Sequence, residues 1–338
     1  MQTCGLLSEL LNAYLERRGS RIRPGTRRLT EQVWGQMLNI CGDIEVARFD
    51  RAQAEDVVDG LMGQGLRAVT VRSYTKTLRP AFRWWSRRAQ GYQDPWADLD
   101  PIRVDRGEVR TISDADVRSI LEVAGPLWRA RILLGYTAGL RRGEVLNLTI
   151  PDIDVESKRI HVRGKVNTAY TWPWTSKDHD YRQVPLTDDA HQALIAVMVE
   201  LPAGQPYVCL TPERYDYLRC LHVSGRMTDR MHVCPDDRFD KGFAALSSRA
   251  GIQAKYKHLR ATCLTRWIEK GLLPHEVQRI AGHASVETTM QYYVATRGDI
   301  VARCLALVGS GAHASSGLAA GTRVGATGLE PATSRPPV

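Results

Sequence analysis

Apolar residues recur at three- and four-residue steps from about position 6 to position 90, the signature of amphipathic helices. Leu6, Leu7, Leu10, Leu11, Tyr14 and Leu15 form one stripe, and Val33, Met37, Leu38 and Cys41 a second. Val57, Val58, Leu61 and Met62 form a third, and Val69, Val71, Tyr74, Leu78, Phe82 and Trp85 a fourth. Gly42, Gly63, Gly65 and Gly91 supply the stops. This predicts four short helices packed as a helical domain over residues 1–92. Pro95, Pro101 and Gly107 punctuate a linker over 93–109.

The pattern changes beyond that point. Ser113 is placed to cap a helix, and residues 128–136 read as a strongly apolar helix. Residues 150–155, 159–162 and 183–186 read as short strands. Helical patterns cover 188–201 and run from 239 to about 308. The fold class is α+β and mainly helical, with a second, mixed domain over 110–308 built around a small antiparallel sheet. Residues 309–338, rich in Gly, Ala, Ser and Pro, are expected to be a disordered tail.

Composition narrows the partners. An apolar share of 43% and a charged share of 25% are globular values, so wholesale disorder is excluded. No apolar run approaches the roughly 20 residues of a membrane span. The first residues lack the basic start and apolar stretch of a signal peptide, and seven cysteines have no framework spacing; both predict a cytoplasmic protein. Cys209, Cys220, His222, His232 and Cys234 cluster without the spacing of a zinc site, so no metal and no cofactor are expected. The net charge of +9 suggests a polyanion, and its distribution favours nucleic acid. Arg17, Arg18, Arg21, Arg23, Arg27 and Arg28 crowd one stretch, and Arg72, Lys76, Arg79 and Arg83 recur at helical spacing in another.

Three short segments carry the candidate chemistry. In the first, Gly139-Leu140-Arg141 leads through Arg142 and Gly143 to Glu144, where an apolar helix turns into another. In the second, Lys257-His258-Leu259-Arg260 opens a helix. In the third, Gly282-His283 is followed nine residues later by Tyr292. Two arginines, a histidine and a tyrosine suit phosphodiester transfer without metal. The guanidiniums neutralise non-bridging oxygens and the phenol attacks.

These segments resemble the boxes of the tyrosine recombinase (phage integrase) family, which read G-L-R-x-x-E, H-x-L-R-H-T, and L-G-H with a tyrosine nine residues on. The likeness spans roughly residues 110–305, and the helical front half resembles the family's core-binding (SAM-like) domain. By this resemblance Arg141 and Arg260 are the catalytic arginines and Glu144 supports the first. His283 is the third-box histidine and Tyr292 the nucleophile, with Tyr293 its competitor. The family's lysine lies in a hairpin before a V-P-L strand, here Val184-Pro185-Leu186, which favours Lys177, with Lys165 as rival and 166–176 as an insertion between them. The second-box histidine is replaced by Lys257, and the neighbouring His258 lies one residue out of register.

The resemblance implies a two-domain clamp on duplex DNA, in which Arg23, Arg27, Arg28, Arg72, Lys76 and Arg79 contact the backbone. It implies a site-specific recombinase or integrase that cleaves and rejoins DNA through a 3′-phosphotyrosyl bond, in a homotetramer on DNA and without cofactor. Two alternatives share much of this pattern: a DNA-binding relative with impaired catalysis, and a type IB topoisomerase-like enzyme that nicks and reseals one strand. An apolar stripe at Ile300, Val301, Cys304, Leu305 and Val308 is a candidate for docking on a neighbouring protomer.

Overall fold

The computed structural model describes residues 5–104, 107, 109–176 and 181–296. The helices expected in the front half are α1 (Leu7–Arg18), α2 (Pro24–Cys41), α3 (Arg51–Gly63) and α4 (Ala68–Ser86). Each starts where local chemistry satisfies its free N–H groups. Pro24 opens α2 with a residue that has no N–H to lose, and the Asp50 carboxylate accepts from the Ala52 and Gln53 amides ahead of α3. The four stripes meet in one core. Phe82 stacks on Trp34 and Phe49, with ring centroids 5.3 and 4.9 Å apart. Trp96 is fully buried against Phe49 and Phe82, and Leu99 and Ile102 pack on the same cluster. The first part of the proline-punctuated stretch is therefore anchored to the helical half by side-chain burial.

A second core begins at Ile112. It is enclosed by α5 (Asp114–Glu122), α6 (Pro126–Tyr136), α7 (Arg142–Leu146), β1 (Ile153–Asp154), β2 (Arg159–Val162), β3 (Arg182–Pro185), α8 (Asp188–Val199), α9 (Pro212–Val223), α10 (Asp229–Val233), α11 (Phe239–Arg249) and α12 (Tyr256–Glu269). Then come α13 (Pro274–Ala281) and α14 (Val286–Thr296). The sheet is antiparallel in the order β1-β2-β3, with Ile160 opposite Val184. Ile160 and Val162 of β2, and Arg182 and Val184 of β3, point inward by strand alternation. A smaller core of Leu264, Ile268, Val277 and Ala281 receives Trp267, Leu272 and Tyr292.

The structure departs from expectation in three places. Residues Ile150–Asp152 form a 3-10 turn rather than strand, because Pro151 cannot donate to a ladder and Asp152 reaches back to the Thr149 amide at 2.9 Å. Helices α9 and α10 were not anticipated, although Thr211-Pro212 is an ordinary helix start, with the Thr211 hydroxyl accepting from the Arg214 amide. The 166–176 insertion folds back onto the domain, where Trp172 stacks on Tyr207 at 3.9 Å and its indole N–H donates to Asn147 Oδ1 at 3.0 Å. Among the described residues no helix is long and apolar enough to cross a membrane. Lys177, Arg297 and the rest of the chain to Val338, including the expected tail and the Ile300–Val308 stripe, lie outside the described residues.

Candidate active site

The end of α13 organises the site. Gly282 takes φ +64°, a left-handed conformation that ends the helix, and the His283 amide closes back on the Gln278 carbonyl at 3.0 Å. The carbonyls of a helix C-terminus lack intrahelical partners and carry its negative end. Here three successive ones are each taken by an arginine from a different element. Ile280 O accepts from Arg182 Nε of β3 at 2.8 Å, and Ala281 O from Arg260 Nη2 of α12 at 2.7 Å. Gly282 O accepts from Arg141 Nη2, just ahead of α7. Gly282 suits this place twice over, since a Cβ there would also stand 3.0 Å from Arg182 Nη1.

The G-L-R-x-x-E spacing has a local reason. Arg141 is the N-cap of α7, and Glu144, three residues on, reaches back to the Arg141 amide at 2.8 Å and to its Nη1 at 3.1 Å. Gly139, at φ +62°, turns its carbonyl toward Arg260 Nη1. Glu144 is buried, yet its carboxyl is held below the ordinary value. Burial pushes it up, but Arg182, Arg260 and Arg141 together pull it further down. Arg260 is pushed down to about 10 by burial first and by Arg141 second, and remains charged at neutral pH.

His283 sits between the arginines and the tyrosine. Arg260 Nη2 donates to His283 Nε2 at 3.0 Å, and His283 Nδ1 meets the Thr289 hydroxyl at 2.8 Å. The Tyr292 ring stacks on the imidazole, with centroids 6.0 Å apart and planes 17° apart. The structure thus brings Arg141, Arg260, His283 and Tyr292 together. Lys257, exposed in the first turn of α12, borders a cleft of about 680 Å³ together with two of them, Arg141 and Arg260. His258 does not border that cleft; its Nδ1 accepts from the Lys255 amide at 3.3 Å.

Lys165 is otherwise engaged. Its ammonium is 2.9 Å from Asp152 Oδ2, bonds the Arg163 carbonyl and lies 5.6 Å from the Trp174 ring centre. Burial lowers its pKa, against the pull of Asp152.

The two basic stretches meet across one cleft of about 800 Å³, where Arg17, Arg18 and Arg21 face Lys76, Arg79 and Arg83 around Trp84. Arg72 is exposed on the same helix. The α2 arginines have protein partners: Arg23 donates to the Ser176 carbonyl at 3.2 Å, Arg27 pairs with Glu31 at 2.9 Å, and Arg28 lies 3.9 Å from Asp229.

This fold and this grouping define a class. Residues 108–298 match the phage integrase family, and the chain belongs to it, as a tyrosine-type site-specific DNA recombinase. It is 25% identical over 295 residues to tyrosine recombinase XerA of Thermococcus onnurineus, covering 86% of this chain and 92% of that protein. It is 23% identical over 287 residues to a tyrosine recombinase XerC-like protein of Caldanaerobacter subterraneus subsp. tengcongensis, covering 78% of this chain and 69% of the relative. In fold it is similar to the Tn1549 transposon integrase in complex with transposon right end DNA, with a TM-score of 0.65, 19% identity, and coverage of 87% and 95%. A lambda integrase tetramer bound to a Holliday junction gives 0.60, 16%, 83% and 78%.

One participant escaped the sequence reading. Arg182 donates to Glu144 Oε2 at 2.7 Å as well as to Ile280 O, and is 7% exposed. The available signal was period two: Arg182 shares the inward face of β3 with Val184, a place where a charge has to be paired.

Proposed function

We propose that this recombinase cleaves and rejoins one DNA strand at a time through a covalent bond to Tyr292. The observation that carries the reading is the convergence of Arg141, Arg260, His283 and Tyr292 around the end of α13. The Tyr292 oxygen attacks a backbone phosphorus and forms a 3′-phosphotyrosyl ester, while the bond to the 5′ oxygen breaks. That oxygen takes a proton from Lys177 and leaves as a hydroxyl. The phenolic proton passes to water, to the phosphate or to Lys257. Arg141 and Arg260 hold the non-bridging oxygens as the phosphorus becomes five-coordinate. A 5′ hydroxyl of a partner strand then reverses the step, so the ester conserves the energy of the broken bond and no nucleotide cofactor enters.

DNA enters between the helical half, over residues 1–92, and the mixed half, over 110–308, with 93–109 joining them. Arg23, Arg27, Arg28, Arg72, Lys76 and Arg79 bind its phosphates, giving affinity that falls steeply with salt. Arg23 and Arg28 exchange their contacts with Ser176 and Asp229 for phosphate when DNA enters. Strand exchange between two duplexes requires four copies of the site, hence a homotetramer on DNA.

The test is a nicked suicide duplex carrying a site selected by binding from a random pool. Loss of the short fragment after cleavage traps the covalent adduct. A trapped adduct on wild-type protein, absent for Tyr292→Phe, is the expected result. Specific binding without adduct across the pH range would overturn catalysis in favour of a DNA-binding relative. Resealing of single nicks by a protein that stays monomeric on DNA would point to a topoisomerase-like enzyme.

A further inference from the structure

We propose that Arg182 is a positioning residue for the cleavage step, setting the direction and net charge of the Arg141 and Arg260 pair without touching DNA itself. This rests on the recombinase reading above. Arg182 is on β3 rather than in any of the three sequence boxes, its side chain is 6% exposed, and two of its three guanidinium nitrogens are taken by protein acceptors. Nε holds Ile280 O at 2.8 Å, Nη2 holds Glu144 Oε2 at 2.7 Å, and Nη1 lies against Gly282.

Those partners are the ones that aim the other two arginines. Glu144 Oε2 also accepts from the Arg141 amide, and Oε1 from Arg141 Nη1. A carboxylate pinned by Arg182 therefore fixes the direction from which Arg141 is held. Ile280 O is the first of the carbonyl run whose next two members hold Arg260 and Arg141. Tying Ile280 to β3 fixes where that run ends. The planar fork of arginine can bridge a carbonyl and a carboxylate at once, which a lysine ammonium on its flexible stem does less well.

Charge gives a second argument. Three guanidiniums against the single carboxylate of Glu144 leave two net positive charges at the site. Removing Arg182 leaves Glu144 to be neutralised by Arg141 and Arg260 alone. Both would then be drawn toward the carboxylate and away from an incoming phosphate. Fixed donors aimed at developing charge are what such a site supplies, so a small loss of aim costs rate.

The experiment is covalent adduct formation under single-turnover conditions on the nicked duplex, for wild type, Arg182→Met and Arg182→Lys. Three quantities are read: rate at saturating DNA, half-saturating DNA concentration, and adduct amplitude per folded protein. For Arg182→Met we expect a rate about 10- to 100-fold lower, the range for loss of a supporting contact. Half-saturation should stay within about threefold and amplitude near wild type, because affinity comes from the backbone contacts elsewhere. Arg182→Lys keeps the charge and one donor and should recover part of the rate. Glu144→Gln and Arg182→Met should be less than additive in combination, since one acts through the other.

A wild-type rate in Arg182→Met overturns the proposal. So does a loss of amplitude at unchanged rate, the mark of a purely structural residue, or a matching loss of affinity, the mark of a direct DNA contact. If Arg182→Met does not fold, Arg182→Lys decides: slower at full amplitude supports the proposal, and wild-type rate overturns it. A wild type that binds DNA and forms no adduct sinks the recombinase reading itself and this inference with it.

Discussion

Arg260 donates to Nε2 of His283 across 3.0 Å, which makes that nitrogen the acceptor. A guanidinium has no acceptor, so Nε2 must carry the lone pair and Nδ1 the proton, directed at the Thr289 hydroxyl 2.8 Å away. Thr289 is fully buried. In this arrangement Nε2 of His283 accepts from Arg260, and a role as donor to phosphate requires a proton on that nitrogen.

Thr289→Val tests that arrangement. It removes the acceptor for Nδ1–H and leaves a buried donor unpaired, freeing the ring to change tautomer. Cleavage should slow by about 10- to 100-fold, as when the outer partner of a functional histidine is lost. Thr289→Ser should stay close to wild type. Equal single-turnover rates for the valine and serine variants would count against the assignment.

Tyr292 packs against His283, and Tyr293 is its neighbour in the sequence. Tyr292→Phe should abolish covalent adducts and leave specific binding nearly intact, since one hydroxyl is lost. Tyr293→Phe should cleave. Gel analysis of trapped adducts separates the two, and the reverse outcome would move the nucleophile by one residue.

Lys257 borders the cleft with Arg141 and Arg260, and His258 is bonded to the amide at the start of its own helix. Burial first, then Lys257, Arg110 and Lys255, push the pKa of His258 down, so it stays neutral to lower pH than an ordinary histidine. Lys257→Ala should slow cleavage by about 100-fold or more, the order of a lost proton-transfer or donor group. Lys257→His should keep activity with a flatter pH profile, because cleavage by the wild type should rise with pH above neutrality. His258→Ala should be mild. Rate–pH profiles of the alanine variants decide: an inactive His258→Ala beside a normal Lys257→Ala would show recruitment of the neighbouring histidine.

Glu144 links the site to stability. Its folded-state pKa lies below 4.5, so between the two values the unfolded chain binds more protons than the folded one. The stabilisation is therefore fully present above about 4.5 and is lost as pH falls through the lowered folded value. Glu144→Gln leaves Arg182 buried without its counter-ion, a loss of about 3–5 kcal/mol near neutrality. Denaturant titrations at neutral and acid pH should show the gap between wild type and variant narrowing in acid. A gap independent of pH would mean that the carboxylate charge contributes nothing.

Much of the site was legible because its residues sit in local motifs. The Arg141-to-Glu144 spacing is a helix cap, readable from four residues, and Gly282-His283 is a helix end followed by a helix start. Helical stripes with their glycine stops likewise located α1 to α4, because burial of one face is a property of each segment alone. What failed was weakly periodic or set by distant partners. Helix α9 has apolar residues on no clear stripe, and residues 150–152 form a local turn, set by Pro151 and the Asp152–Thr149 pair, inside an apolar stretch that reads as strand. Arg182 reads as an ordinary strand arginine until β3 is seen against α7 and α13.

The amino-acid order by itself determined the family, set Arg141, Arg260, His283 and Tyr292 in three short segments as candidates, and gave the front half its basic character. Those follow from spacing within single elements and from composition, neither of which needs contacts between distant segments. Only the tertiary structure decided that three arginines from β3, α12 and the α7 cap close on three successive carbonyls at the end of α13 and its Gly282 cap. It alone decided that Lys257 shares a cleft with two of them while His258 does not, and that Lys165 is held by Asp152. Such choices are made by long-range packing, where each buried charge has to find its partner from another part of the chain.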